Sequence, residues 1–255
     1  RGTWFKDRRY AGELRISLND NKLQIINYLK LEKYLKSVVG SEMPKEFPLA
    51  ALQAQAIAAR TYALKLLGKK NSFDVHSTQA NQVYLGLESE TPKITKAVRS
   101  TSSLALFYKN KLIDAVFHSS SGGRTENSGN VWKYQFPYLR SVSDYDQNGT
   151  KYKWINKFTS AELDNSFPDL GRVNGILITK KSNSDRVLKI RLYGPNGIKN
   201  ISGKSLRKKL KLLSTKFDVE LKFQHNNQFK ELKYQNDKFS LNFDNKKFND
   251  LAPQP

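Results

Sequence analysis

Apolar and polar positions alternate through residues 12–18, where Leu14, Ile16 and Leu18 interleave with Glu13, Arg15 and Ser17. That period of two predicts a strand over Gly12–Leu18, paired with a second over Leu23–Tyr28 across a polar turn, Asn19-Asp20-Asn21. Leu31–Val39 reads as a short helix stopped by Gly40, with Pro44 just beyond. A longer helix follows, opened by Pro48 and closed by Gly68. Its Leu49, Leu52, Ala56, Ala59, Ala63 and Leu66 recur at three and four, an apolar stripe along one face. Half of that stripe is alanine, so a neighbouring element must approach closely. Gln53, Ile57, Arg60 and Leu64 fall on a second face.

Thr91-Pro92 supplies an N-cap and first-turn proline for a third helix, running to about Thr101. Leu104–Tyr108 and Leu112–Phe117 then predict a hairpin over Lys109-Asn110-Lys111. Short strands are expected at Ile176–Thr179 and Leu188–Leu192, and a helix over Ser202–Leu213 with Leu206 and Leu210 inward. From about Gln224 the chain turns Asn-, Lys- and Gln-rich with single Phe residues, the pattern of a weak strand pair or an insertion. Helices grouped early and strands dominating later predict an α+β fold of mixed helices and short antiparallel strands. The expected organisation is a core over 1–170, a strand-rich subdomain with one helix over 171–223, and a Lys/Asn-rich insertion or truncated tail over 224–255.

Composition changes this picture in two ways. The 255 residues carry 44 Lys and Arg against 23 Asp and Glu, a net charge of +21, which implies a polyanionic partner or a generally basic solvated surface. The absence of Cys excludes disulfides and thiolate zinc sites. No run of residues approaches the roughly 18 apolar positions of a spanning helix. The chain opens at Arg1 without a signal-like segment, as in a mature or trimmed form.

Several residues could carry chemistry. Glu42 sits between two predicted helices, where a partly desolvated carboxylate can act as a proton donor. Glu46, just ahead of Pro48, suits the helix dipole better. Arg60 is a surface cation on one reading; among so many small residues it suggests a buried partner or an anionic substrate group. His118 leads into Ser119-Ser120-Ser121-Gly122-Gly123, whose glycines allow close backbone approach to a ligand. No G-x-S-x-G elbow surrounds Ser121, and His76, His118 and His225 lack metal-ligand spacing. Trp132 and Tyr138, with Arg140 nearby, offer aromatic faces of the kind sugar rings stack on, though such residues are equally often core.

Together these segments resemble the SpoIID/LytB family of bacterial cell-wall proteins. The resemblance rests on Leu31-Glu32-Lys33-Tyr34-Leu35, Val38-Val39-Gly40-Ser41-Glu42-Met43-Pro44 and Ala50-Ala51-Leu52-Gln53-Ala54-Gln55-Ala56. It continues through Ala58-Ala59-Arg60-Thr61-Tyr62-Ala63, Phe73-Asp74-Val75 and Gln82-Val83-Tyr84-Leu85-Gly86, then Phe117–Asn127 and Pro137-Tyr138-Leu139-Arg140, collinear from about Gly12 to Phe217. It implies a lytic transglycosylase acting on peptidoglycan glycan strands, with Glu42 as the catalytic acid/base. It also implies substrate contacts from Arg60, His118, Ser121, Gly122, Gly123, Trp132, Tyr138 and Arg140, in a shared cleft. The alternative it implies is a non-catalytic wall-binding enhancer of an amidase.

The expected partners are therefore peptidoglycan strands and a cell-wall amidase, in an exported protein of the bacterial envelope. No cofactor, metal, specific nucleic acid or membrane span is expected. A nucleic-acid binder is the outsider, motivated by charge but supported by no recognisable motif. Three departures from the family pattern stand out. Gln53 occupies a position where relatives often carry lysine, and Ser121 stands where some carry a metal-binding cysteine. The family's closing Gly-His-Gly segment does not precede Pro255, so the tail reads as cut.

Overall fold

The computed structural model describes residues 2–19, 21–69, 72–225 and 228–231. Its backbone gathers into two compact units, Arg1–His118 and Ser119–Pro255. The architecture is α+β, with helices and short antiparallel strands in small sheets.

In the first unit β1 (Thr3–Phe5) pairs with β2 (Arg8–Tyr10), and β3 (Glu13–Asn19) pairs with β4 (Lys22–Tyr28). The expected hairpin thus forms, with Ile16 opposite Ile25 and Leu18 opposite Leu23. The helix α1 spans Leu31–Glu42, three residues beyond the end expected at Val39. Gly40 is an interior helical residue here, placed where a Cβ would meet the Ser89 carbonyl oxygen at 2.0 Å. What ends α1 is Pro44, which forces the preceding Met43 into extended backbone (φ −128°, ψ 145°).

The next helix, α2 (Leu49–Leu66), buries Leu52, Ala56, Ala59 and Ala63, as the stripe predicts. Its alanines let α1 and α3 (Pro92–Ser100) pack against it. Thr91 caps α3 by accepting from the Ile94 amide at 3.2 Å. Leu35, Val38 and Val39 of α1 join Ile94, Ala97 and Val98 of α3 around the α2 stripe, with Tyr34 and Tyr84 stacked beside them. The hairpin expected after α3 shrinks to β5 (Phe107–Tyr108) and β6 (Lys111–Leu112) around a two-residue turn. Lys109 and Asn110 both take positive φ there, as such tight hairpins require.

The second unit holds short α4 (Ser128–Val131), then α5 (Ser160–Ser166), whose Thr159 and Glu162 form a reciprocal capping box. A three-stranded antiparallel sheet follows in the order β7 (Gly175–Lys181), β8 (Val187–Gly194), β9 (Gly197–Ser202). The last helix, α6 (Gly203–Lys209), packs on β8 and β9. Both β9 and α5 are absent from the sequence-based expectation. Phe167 and Leu170 lie in one core with Val187, Ile190, Leu192 and Leu206. A boundary at residue 170 would cut that core, and the units instead divide between His118 and Ser119. The strand pair expected near Gln224 is present as β10 (Lys222–His225) with β11 (Gln228–Glu231). The rest of the expected tail, 232–255, lies outside the described residues. Among the described residues no helix is long and apolar enough to cross a membrane.

Candidate functional site

Glu42 is the last residue of α1, half-buried, and its Oε1 accepts a hydrogen bond from the Val83 backbone amide at 2.7 Å. Among the described residues no hydrogen bond is made to its Oε2. Val83 belongs to an extended strap, Asn81-Gln82-Val83-Tyr84, and every residue of it is tied down. Asn81 Nδ2 donates to the Tyr62 hydroxyl at 3.0 Å, and the Tyr84 hydroxyl donates to Asn27 Oδ1 at 2.6 Å. Gln82 is fully buried, accepting from the Tyr34 hydroxyl at 3.0 Å and donating to the Ala59 carbonyl at 3.2 Å. Burial, then the Tyr62, Glu42 and Tyr84 charges, push the Tyr34 hydroxyl above its ordinary range, so it remains a neutral donor. The strap fixes the Glu42 carboxyl against α1 and α2 through groups whose positions are set by the helical core.

Arg60 takes up the buried-partner reading. It is only 2% exposed, and its Nε and Nη2 donate to the two Glu32 carboxylate oxygens at 2.8 and 2.9 Å. The remaining guanidinium contacts go to the Val98, Leu104 and Ala56 carbonyls. A fork of this shape is one that lysine could not reproduce. Arg60 therefore clamps α1, α2 and the end of α3 together, and its donors are directed inward to these partners rather than outward to a substrate. Gln53 donates to the Ser100 hydroxyl at 2.8 Å.

His118 closes the first unit and is exposed. In the second unit, the Ser119–Gly123 loop wraps around a carboxylate that sequence reasoning missed. The amides of Ser121, Gly122 and Gly123 donate to Asp146 at 2.7, 2.9 and 2.7 Å, and the Ser120 hydroxyl donates to it as well. Gly122 and Gly123 sit at φ 72° and 92°, the left-handed conformation that turns three successive amides to one side. Burial alone would raise the Asp146 carboxyl, but the Ser120 hydroxyl and the three amides outweigh it and hold the group well below the usual carboxylate range. The loop carbonyls are held too, with Arg186 donating to Ser121 O at 2.6 Å and Lys216 to Gly122 O at 2.6 Å. The loop is an anion nest filled by the chain's own aspartate. Nothing in the sequence marks Asp146, since the contact spans about 25 positions with no motif around it.

The other expected contacts of this unit lie on its surface or near it. Trp132 is 47% exposed at the end of α4, and Arg140 is exposed. Tyr138 is half-buried and stacks on Phe136, with ring centres 5.6 Å apart. Glu126 accepts from the Ser182 and Ser184 hydroxyls, Asn130 Nδ2 and the Asn127 amide, which ties this segment to the turn between β7 and β8. Among the described residues no group of three or more His, Asp or Glu side chains is placed to hold a metal ion.

Comparison with known proteins extends these observations. Residues 19–108, which contain Glu42, Arg60 and the strap, match the family described as stage II sporulation protein, SpoIID. Stage II sporulation protein D of Bacillus subtilis (strain 168) is 36% identical over 222 residues, 76% of this chain and 62% of that protein. The protein of the same name from Bacillus amyloliquefaciens is 35% identical over 214 residues, covering 76% of this chain and 61% of its own length. The amidase enhancer of Bacillus subtilis (strain 168) is 38% identical over 136 residues, 53% of this chain and 18% of that protein. The chain thus spans less than two thirds of the length of these relatives.

Proposed function

We propose, for a chain whose residues 19–108 belong to the SpoIID family, that it is a lytic transglycosylase cleaving peptidoglycan glycan strands with Glu42 as acid and then base. The family and its relatives, one of them named an amidase enhancer, support a role related to the cell wall. The observation that carries the finer reading is the Glu42 carboxyl itself. One oxygen is anchored by the Val83 amide, and the carboxyl is half-buried at the end of α1.

One carboxylate suffices for this reaction where ordinary glycosidases use two. Glu42 delivers a proton to the glycosidic oxygen as the bond from the muramic acid anomeric carbon breaks. The muramic acid 6-hydroxyl then attacks that carbon and gives its proton to the same carboxylate. A 1,6-anhydro ring forms, and Glu42 is returned protonated. Arg60 acts as a positioning residue, keeping α1 seated on α2 and α3 and with it the residue at the end of α1. In the second unit, Trp132 and Tyr138 present aromatic faces to sugar rings, beside the exposed Arg140. In the Ser119–Gly123 loop the Ser121, Gly122 and Gly123 amides and the Ser120 hydroxyl are committed to Asp146 and Ser121 is buried, which leaves the exposed Ser119 side chain to meet a ligand. The protein acts in the bacterial envelope.

The test is mass spectrometry of fragments released from intact and peptide-stripped peptidoglycan by wild type and Glu42→Gln. Fragments with 1,6-anhydro ends from wild type alone are expected. A second reading, the non-catalytic enhancer of a wall amidase, is motivated by the relative of that name. It takes over if neither protein releases fragments while both raise the rate of an added amidase equally.

A further inference from the structure

The strands β7, β8 and β9 contain five lysines and arginines and no Asp or Glu, and two of the five, Lys181 and Lys199, pair with Asp218 and Asp169. Ile190 and Leu192 of β8 point into the core, so Lys189 and Arg191 lie on the opposite, outer face of the sheet. Lys180 of β7 stands directly opposite Lys189 in the strand register, brought there by a shift after Ile178, and both are exposed. Like charges facing each other across an antiparallel pair destabilise a sheet. Among the described residues neither has a carboxylate at ion-pair distance. Arg191, one row along, donates to Asn200 Oδ1 at 3.1 Å, which extends the polar row onto β9.

We infer that this outer face binds a linear, phosphodiester-linked wall polymer, the anionic companion of the glycan strands, an assignment that rests on the wall reading above. Its charge is complementary to an outer face on which the strands place Lys180, Lys189 and Arg191 and no Asp or Glu, and an anion between Lys180 and Lys189 removes the repulsion the bare register carries. Lysines dominate, which suits a chain of point charges rather than planar, bidentate recognition. The outer face of β8 offers a single aromatic residue, Tyr193, and lacks the series of rings on which successive nucleobases stack. The polymer would hold the protein on the wall through its second unit, independently of the carboxylate in the first.

The test is co-sedimentation of the full chain with sacculi from one source, either retaining their phosphodiester polymer or stripped of it by acid. It is run at about 0.1 M salt, where distant surface charges are already largely screened. Removing the polymer is expected to lower retention about fivefold or more, with retention on polymer-bearing sacculi falling steeply as salt rises. Lys180→Gln/Lys189→Gln should lose the same retention while its melting temperature stays unchanged or rises, since the substitution removes a repulsion. Equal retention on both kinds of sacculi overturns the inference, as does a double variant that binds like wild type. A double variant that melts lower also overturns it, because the lysines would then be structural. Tighter binding to single-stranded DNA or to anionic vesicles than to polymer-bearing sacculi overturns the choice of partner. Glu42→Gln is carried through the same assay: polymer-dependent retention without glycan cleavage by wild type would sink the enzyme reading alone.

Discussion

The backbone N–H of Val83 donates to Oε1 of Glu42 across 2.7 Å, joining residues 41 positions apart in the chain. An amide donor of this kind orients a carboxyl without bringing a charged side chain beside it. It also depends on backbone position, so what places Glu42 is the whole strap from Asn81 to Tyr84 and the helical core it lies on.

Glu42→Gln keeps a side-chain oxygen for the Val83 amide but has no proton to exchange. Thermal unfolding should match wild type, while release of 1,6-anhydro fragments falls about 10²–10⁴-fold. Glu42→Asp retains the acid but shortens its reach to Val83, and should lose most of the activity as well. A Glu42→Asp variant with wild-type turnover would show that the anchoring is dispensable.

Removing Glu32 leaves the Arg60 guanidinium buried with only carbonyl partners. Glu32→Ala should destabilise the chain by about 2–3 kcal/mol in urea unfolding, a value reduced because the Glu32 side chain is 40% exposed. Arg60→Lys should cost nearly as much, because a single ammonium cannot replace the two-pronged contact. If Arg60→Lys is neutral for stability but halts cleavage, Arg60 acts on substrate directly.

Asp146 links acidity to stability. Its folded carboxyl lies below the ordinary value of 3.8, so ionisation favours the folded state. That contribution is complete above about pH 4–5 and is lost as the pH falls through the folded titration. Asp146→Asn should be less stable by about 1–2 kcal/mol at pH 7, discounted for partial exposure, and the gap should close in acid. Unfolding curves for both proteins from neutral pH down to about pH 3 check this; a gap that is constant with pH would remove the charge from the explanation.

Gly40→Ala separates helix propensity from packing. Alanine favours a helix interior by about 1 kcal/mol over glycine. Its Cβ would sit 2.0 Å from the Ser89 carbonyl oxygen, so the variant should instead be destabilised by about 1–3 kcal/mol. A raised melting temperature would mean that this contact relaxes freely.

Local pattern was enough to place β3, β4, α2 and α3, because period, proline and capping residues act within a few positions of each other. The same reasoning missed α5, although Thr159 and Glu162 have the spacing of a capping box. It also missed β9, whose alternation of Ile198 and Ile201 with polar residues is too short and irregular to read alone.

By itself, the sequence determined an α+β chain of strong positive charge, without thiol chemistry, with an alanine-striped helix and a carboxylate beside it. Only the tertiary structure decided what Gly40, Arg60 and Asp146 do. Gly40 reads as a helix stop, and it is a point of close approach inside one. Arg60 has its carboxylate 28 positions away, and the Ser119–Gly123 amides find theirs about 25 positions on. The physical reason is the same in each case. Helix and strand periods are properties of neighbouring residues, whereas the partner of a buried charge, or of a backbone amide turned out of its ladder, is chosen by whatever the fold brings within 3 Å.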